Sequence, residues 1–275
     1  MTGMKGAAPI TTLRLEQAEG SSIAIPRREI CRYLGYRRIE PTGEVLARIE
    51  DCAAQLNVKS NPKAVWQVFP LEHGAAPQSP APAAVSDSLE NPRRANSGEV
   101  SAAQKRLSGG ADSDHLLRAA GIEMHSKDLA RNCRGCSALV MMSATIGPGC
   151  DFLIRRAEAV SMTDAAIYQA AGAAMVEEWC DRVNAKIRDE MQQHGYHARP
   201  RFSPGYGDLP LELQKDFFRI LNLPRTCGIS LGDTLLMSPS KSVTAFIGLA
   251  RDDADCVPSG CEVCGKGDDC DYRRA

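Results

Sequence analysis

Two groups of residues in this chain have the types and spacing to do chemistry. The first is the run Arg201-Phe-Ser-Pro-Gly-Tyr-Gly-Asp-Leu-Pro210. Gly205 and Gly207 let main-chain atoms approach a ligand with no Cβ in the way, Pro204 and Pro210 fix φ, and Arg201 offers a planar fork that matches a carboxylate. Tyr206 can cover an aromatic or cationic ligand face. Gly/Pro-rich turns with an arginine also occur as plain structural loops, and composition leaves both readings open. The second group is Cys256-x4-Cys261-x2-Cys264-x5-Cys270. Short spacers carrying Pro258, Gly260, Gly265 and Gly267 let four sulfurs converge on tetrahedral zinc or an iron–sulfur cluster. The C-x4-C-x2-C part has plant-type ferredoxin spacing, whereas closed sites of four thiolates more often hold zinc. Redox-active or unligated thiols, and surface cysteines without a role, stand as the alternatives.

Weaker signals lie between these groups. Cys133-Arg-Gly-Cys136 has the spacing of a redox pair at a helix terminus, or is a plain helix-to-strand connection. Cys31, Cys52, Cys150, Cys180 and Cys227 stand singly and read as buried small hydrophobes. His73, His115, His125, His194 and His197 form no ligand pattern and read as surface residues, and Glu177 and Glu178 read as the solvated face of a helix.

Positioning these residues takes a mixed set of elements. Apolar residues Ala166, Ile167, Ala170, Ala171, Ala174, Met175, Trp179, Val183, Ile187 and Met191 predict a helix over about 163–194, stopped at Gly195. Its first half is rich in Ala and Gly, so another backbone can approach closely, which places it at the centre of the domain. Helical spacing on either side of the 35–43 turn region predicts two helices, one around Ile30 and Leu34 and one over 45–56. Ser126 is placed to cap a helix over 126–133, and a further helix is expected over 211–221. Strands are expected at 64–69 and 138–146, a short one at 12–15, and a pair at 234–238 and 242–249. Helices and strands without a βαβ repeat indicate an α+β fold. The division expected is a flexible N-terminus at 1–24, a single domain at 25–255 and a cysteine-rich metal-binding tail at 256–275. Within the domain, residues 74–114 are so rich in Ala, Pro, Ser and Gly that they cannot bury enough apolar surface to offset ordering, and a disordered insertion is expected there.

Composition bounds the function class. With 33 basic and 34 acidic residues the formal charge is −1, so no net field draws the chain to nucleic acid or an anionic membrane. No run approaches the roughly 18 apolar residues of a membrane span, and the first 20 residues lack a signal-peptide core, so a cytoplasmic location is expected. In that setting eleven cysteines point to free thiols, metal or redox chemistry rather than disulfides.

The run from Arg201 to Tyr206 is similar to the Arg-x-x-x-Gly-Tyr motif of the activation (reactivation) domain of cobalamin-dependent methionine synthase. The segment from Ile25 that closes in Arg32-Tyr-Leu-Gly-Tyr36, the Ala144-Thr-Ile-Gly147 strand end, the Ala-rich helix with Glu177 and Glu178, and Ser238-Pro-Ser-Lys-Ser-Val-Thr244 resemble the same family in the same order, over about residues 25–73 and 118–273. The family's tyrosine downstream of the Ser-Val strand has no counterpart in Gly248-Leu-Ala-Arg-Asp-Asp253. The resemblance implies a single helmet-like activation-domain fold, with a mixed antiparallel sheet and a long central helix. It implies S-adenosylmethionine bound by Arg201, Pro204, Gly205 and Tyr206, the arginine meeting the ligand carboxylate and the turn backbone the rest. It also implies a positioning role without catalysis by the chain alone, in reductive remethylation of a corrinoid cofactor. The chain has no Asp-x-His-x-x-Gly corrin motif, so cobalamin is expected only through a partner. That partner is a corrinoid protein or cobalamin-dependent methionine synthase subunit, served by a reductase or other electron donor. The alternative is an iron–sulfur or zinc protein transferring electrons to a corrinoid partner from Cys256, Cys261, Cys264 and Cys270.

Overall fold

A computed structural model of the chain describes residues 12–36, 39–74 and 115–251. Its centre is a five-stranded antiparallel sheet in the order β1 (Arg14–Gln17), β2 (Lys63–Pro70), β6 (Cys136–Thr145), β10 (Ser242–Ala250), β7 (His197–Ala198). The register runs Arg14, Trp66, Met142, Ala245 across four of these strands. β6 and the second half of β10 read as near-continuous apolar runs because both faces of the sheet are covered.

Alternate residues along β2, β6 and β10 enter different cores, as a period of two requires. Trp66 and Val68, Val140 and Met142, and Ala245 and Ile247 join one core with four helices: α1 (Arg27–Tyr33), α2 (Gly43–Lys59), α4 (Gly149–Glu158) and α5 (Met162–Gln193). Val65, Leu139, Met141 and Phe246 enter the other. That second core is closed by the hairpin of β4 (Leu116–Ala119) and β5 (Ile122–His125) and by the short helices α3 (Lys127–Asn132), α6 (Gln214–Ile220) and α7 (Leu223–Thr226). Two small pairs complete the strands, β3 (Glu72–His73) against β4 and β8 (Ser230–Leu231) against β9 (Met237–Ser238).

The 32-residue α5 is central, packed on α1, α2 and α4. Ser161 caps its start by accepting from the Asp164 amide at 3.2 Å, and Gly195 follows its end at φ 73°. At Gly172 there is no room for a side chain, since a Cβ would collide with Cys150 Sγ of α4, so the small residues do permit a close approach. Ser126 caps α3 as expected, accepting from the Leu129 amide at 3.0 Å.

Three expectations need adjustment. The stretch 1–24 carries structure from residue 12 onward: β1 pairs with β2, and Ile23 is buried in the first core. Residues 234–238 and 242–249 do not pair with each other. Met237–Ser238 joins β8, while the chain after it is anchored on α4 through Asp151, which accepts from the Ser240 amide at 2.8 Å. β10 then enters the sheet centre, where its apolar residues are covered on both sides. Helix α4 and the β4–β5 hairpin appear where no element was expected. Most of the expected 74–114 insertion lies outside the described residues, as does everything after Arg251.

Candidate functional site

Strand β7 leads into the Arg201 turn by continuing along β10. The Arg199 amide donates to the Gly248 carbonyl at 2.8 Å, and Phe202 and Phe246 exchange backbone hydrogen bonds at 2.9 and 2.8 Å. This edge pairing fixes where Arg201 leaves the sheet. Its side chain, 18% exposed, turns toward α5, and Nη2 donates to Asp181 Oδ1 at 2.8 Å and Glu177 Oε2 at 3.4 Å. The two carboxylates stand one helical turn apart on α5 and remain 48% and 38% exposed. Burial works against the Arg201 charge, but Cys180, Asp181 and Glu177 more than offset it and hold the guanidinium above the ordinary arginine value. Glu177 is therefore not simply a solvated face residue, as its sequence position suggested; Glu178 is, bridging Arg182 at 3.3 Å.

Past Arg201 the chain makes a compact turn. Pro204 is buried, Gly205 has φ 89°, and Tyr206 stands 68% exposed beside them. The Gly205 amide donates to the Leu209 carbonyl at 2.9 Å, the Tyr206 amide to Ser203 at 3.1 Å and the Leu209 amide to Tyr206 at 3.0 Å. These three amides thus hold the turn itself, and the Tyr206 ring stands exposed on its outside. Arg201, Pro204, Gly205 and Tyr206 lie along one turn that leaves the sheet edge, the Arg201 side chain on α5 and the Tyr206 ring exposed.

The far end is fastened to α3. Asp208 accepts from the Ser126 hydroxyl and from the Lys127 and Asp128 amides at 2.8 and 3.2 Å, and these bonds, the Ser126 one foremost, hold its carboxyl below the usual aspartate range. Gly207, at φ 53°, lies so close to the Asp128 carboxylate that a side chain would displace it. Asn132, at the other end of α3, donates to the Pro200 carbonyl at 3.4 Å. Sequence reading missed Asp181 and Asp208. The spacing of Glu177 and Asp181 by four on a helix was the one local signal available.

With the sheet order and this turn in view, a solved structure can be set beside the chain. The fold is similar to that of the MetH reactivation domain. The match is to a crystal structure of that domain bound to AdoHcy, with 14% sequence identity, 89% of this chain and 81% of that one covered, and a TM-score of 0.52. No family model matches the chain, and no curated protein does. At this identity the likeness concerns the fold: a mixed α+β domain with an antiparallel sheet and a long helix, like the MetH reactivation domain.

The second candidate group, Cys256, Cys261, Cys264 and Cys270, lies outside the described residues. Among the described residues no three His, Cys, Asp or Glu side chains gather to hold a metal, and no helix is long and apolar enough to cross a membrane. The singly placed Cys52, Cys150, Cys180 and Cys227 are buried and Cys31 half-buried. Cys133 and Cys136 are buried as well.

Proposed function

We propose that the chain binds S-adenosylmethionine at the Arg201–Tyr206 turn and serves as the reactivation component of a cobalamin-dependent methionine synthase or related corrinoid methyltransferase. The observation that carries this reading is the grouping of Arg201, Glu177 and Asp181 directly before Pro204, Gly205 and Tyr206. These three side chains sum to one negative charge. The ligand's carboxylate, ammonium and sulfonium sum to one positive charge, so the grouping and the ligand complement each other. Arg201, with five N–H donors, can keep one acidic neighbour and still receive a carboxylate, while the exposed Glu177 and Asp181 face its cationic groups. Carbonyls of the turn accept from the nucleobase amine, and the Tyr206 ring covers a ligand face.

The ligand supplies an activated methyl group, and the chain's own work is to orient it toward a corrinoid brought by a partner, with electrons from a reductase or other donor. The helmet-like form of the MetH domain is part of this reading. Its support is the fold likeness to a domain solved with AdoHcy. The alternative, electron transfer through zinc or iron–sulfur chemistry at Cys256, Cys261, Cys264 and Cys270, rests on their spacing.

Calorimetric titration of S-adenosylmethionine into anaerobically purified protein and into Arg201→Ala, with the visible spectrum of each sample recorded first, separates the two. Binding that is lost in Arg201→Ala supports ligand presentation. No binding by a protein with the visible bands of a cluster overturns it in favour of electron transfer.

A further inference from the structure

Cys133 and Cys136 sit where α3 ends and β6 begins, and the Cys136 amide donates to the Cys133 carbonyl at 3.0 Å. This closes a turn through Arg134 and Gly135, the latter at φ 72°. Such a turn keeps its outer Cα atoms within about 7 Å, close to the upper end of the span a disulfide bridges. The side chains converge too. A methyl group placed on Gly248 of β10 would sit 2.7 Å from Cys136 Sγ, 3.1 Å from Cys133 Sγ and 3.2 Å from Cγ of Arg199. Two sulfurs and an arginine stem therefore share one small space, left open because residue 248 is glycine. All three side chains are buried, yet Arg134 and Gly135 between the cysteines are exposed, so the pair lies just beneath the surface.

Arg199 distinguishes this pair from the chain's other buried thiols. A guanidinium stays charged, and burying it is costly without a compensating anion. Two groups that it meets are the Arg134 carbonyl, 3.0 Å from Nη2, and the Cys136 sulfur. The neighbouring Cys133 thiol and the Arg199 guanidinium outweigh burial and hold the Cys136 thiol below its ordinary value, while Cys133, on the other side of that contact, is held well above. Cys150 and Cys180, by contrast, are pushed by burial up to about 12, and Cys227 to about 11.

We propose that Cys133 and Cys136 form a redox-active dithiol in which Cys136 reacts with a hydroperoxide and Cys133 resolves the product to a disulfide. The Cys136 thiolate gives an electron pair to a peroxide oxygen, the O–O bond breaks, and hydroxide leaves to take up a proton, so that Cys136 becomes a sulfenic acid. The Cys133 sulfur then attacks Cys136 Sγ; the S–S bond forms, the S–O bond breaks, and the Cys133 proton leaves with the departing hydroxyl as water. Two thiols are oxidised and one hydrogen peroxide is reduced to two waters. Arg199 is a positioning residue, stabilising the thiolate and touching neither oxygen. This site stands or falls independently of what the Arg201 turn binds.

The test uses full-length reduced protein treated with hydrogen peroxide, after which free thiols are blocked and the chain is digested with trypsin. Cleavage after Arg134 turns a 133–136 disulfide into a linked pair of peptides, 132–134 and 135–155, in which fragmentation shows Cys150 of the longer peptide blocked. The linked pair should form and vanish on adding dithiothreitol, and Cys133→Ser should stop at a Cys136 sulfenic acid trapped by dimedone. Arg199→Gln should slow the reaction by about tenfold, and Arg199→Lys, which keeps the charge, should recover most of the rate. If peroxide oxidises other cysteines of the folded protein while 133 and 136 stay free, the dithiol reading fails, and that result needs no variant. A sulfenic acid trapped on Cys133 in Cys136→Ser, with none on Cys136 in Cys133→Ser, overturns the roles assigned. An unchanged rate in Arg199→Gln removes Arg199 from them.

Discussion

The segment between Arg199 and Asp208 is fastened at both ends, by different means. At one end the Arg201 guanidinium, largely covered, meets two carboxylates of α5 that remain open to solvent. At the other the Asp208 carboxylate is taken up by a hydroxyl and two amides at the start of α3, groups that otherwise lack an intrahelical partner. The first fastening has acceptor capacity facing outward and can be shared with a ligand. The second is a tie between elements, three donors at the start of α3 meeting the exposed Asp208 carboxylate. Both depend on charge, but only the first sets a largely covered cation against carboxylates, and that distinguishes the end proposed to bind from the end that supports it.

The largest effect should come from breaking the binding end. On the proposed binding mode, Arg201→Ala removes a charged hydrogen bond to the ligand carboxylate, worth about 1.5–3 kcal/mol, so affinity for S-adenosylmethionine should fall about 10- to 100-fold by calorimetry. Stability should change little, by about 1 kcal/mol or less, since the carboxylates left behind are half-exposed and pick up water. A large loss of stability without loss of binding would invert the comparison.

Gly207→Ala strikes the supporting end. Its backbone is in the left-handed region, where a Cβ costs about 1–2 kcal/mol, and the new methyl would also push aside the Asp128 carboxylate. Chemical denaturation should show that loss, with ligand affinity per folded molecule changed severalfold at most.

How far the sequence foretold these two ends follows from what holds each. Long periodic segments read well: α5 was placed within about a residue at each end, and the Ser126 cap and the β6 run stand where their residues put them. Helix α4 was missed although Leu153, Ile154 and Ala157 carry its buried face, because the ten residues that begin at Gly149 make a short signal interrupted by Arg155 and Arg156. The β4–β5 hairpin turns at Ala120-Gly121, both at positive φ, and alanine gives no hint of such a turn. In the candidate site, Arg201, Pro204, Gly205 and Tyr206 were legible as a local motif. Asp181 and Asp208 were not, because each takes its meaning from a partner 20 or about 80 positions away.

A finer test of the binding end is the double variant Glu177→Gln, Asp181→Asn. S-adenosylhomocysteine has no sulfonium charge, so any preference for S-adenosylmethionine must come from groups that feel that charge. Two half-exposed carboxylates contribute about 1 kcal/mol toward the sulfonium, so the double variant should erase a severalfold preference, with affinity for S-adenosylhomocysteine, which keeps the ammonium, falling less than that for S-adenosylmethionine. Equal losses for both ligands would assign these carboxylates to holding Arg201 rather than to reading the sulfonium.

The smallest effect concerns the supporting end. Asp208 accepts at both oxygens, Oδ1 from Ser126 and Asp128 and Oδ2 from Lys127, so Asp208→Asn keeps one acceptor and loses the other together with the charge, about 0.5 kcal/mol near neutral pH at this exposed position. The folded-state value of Asp208 is depressed below 3.8, its bond from Ser126 being the largest cause. A depressed carboxylate contributes stability above its unfolded value and loses it as pH falls through the folded one. Wild type should therefore exceed Asp208→Asn by this small margin at pH 7, and the two denaturation curves should converge as the pH drops below about 3.8. A margin that persists in acid would mean that the geometry of the carboxylate, rather than its charge, holds α3 to the turn.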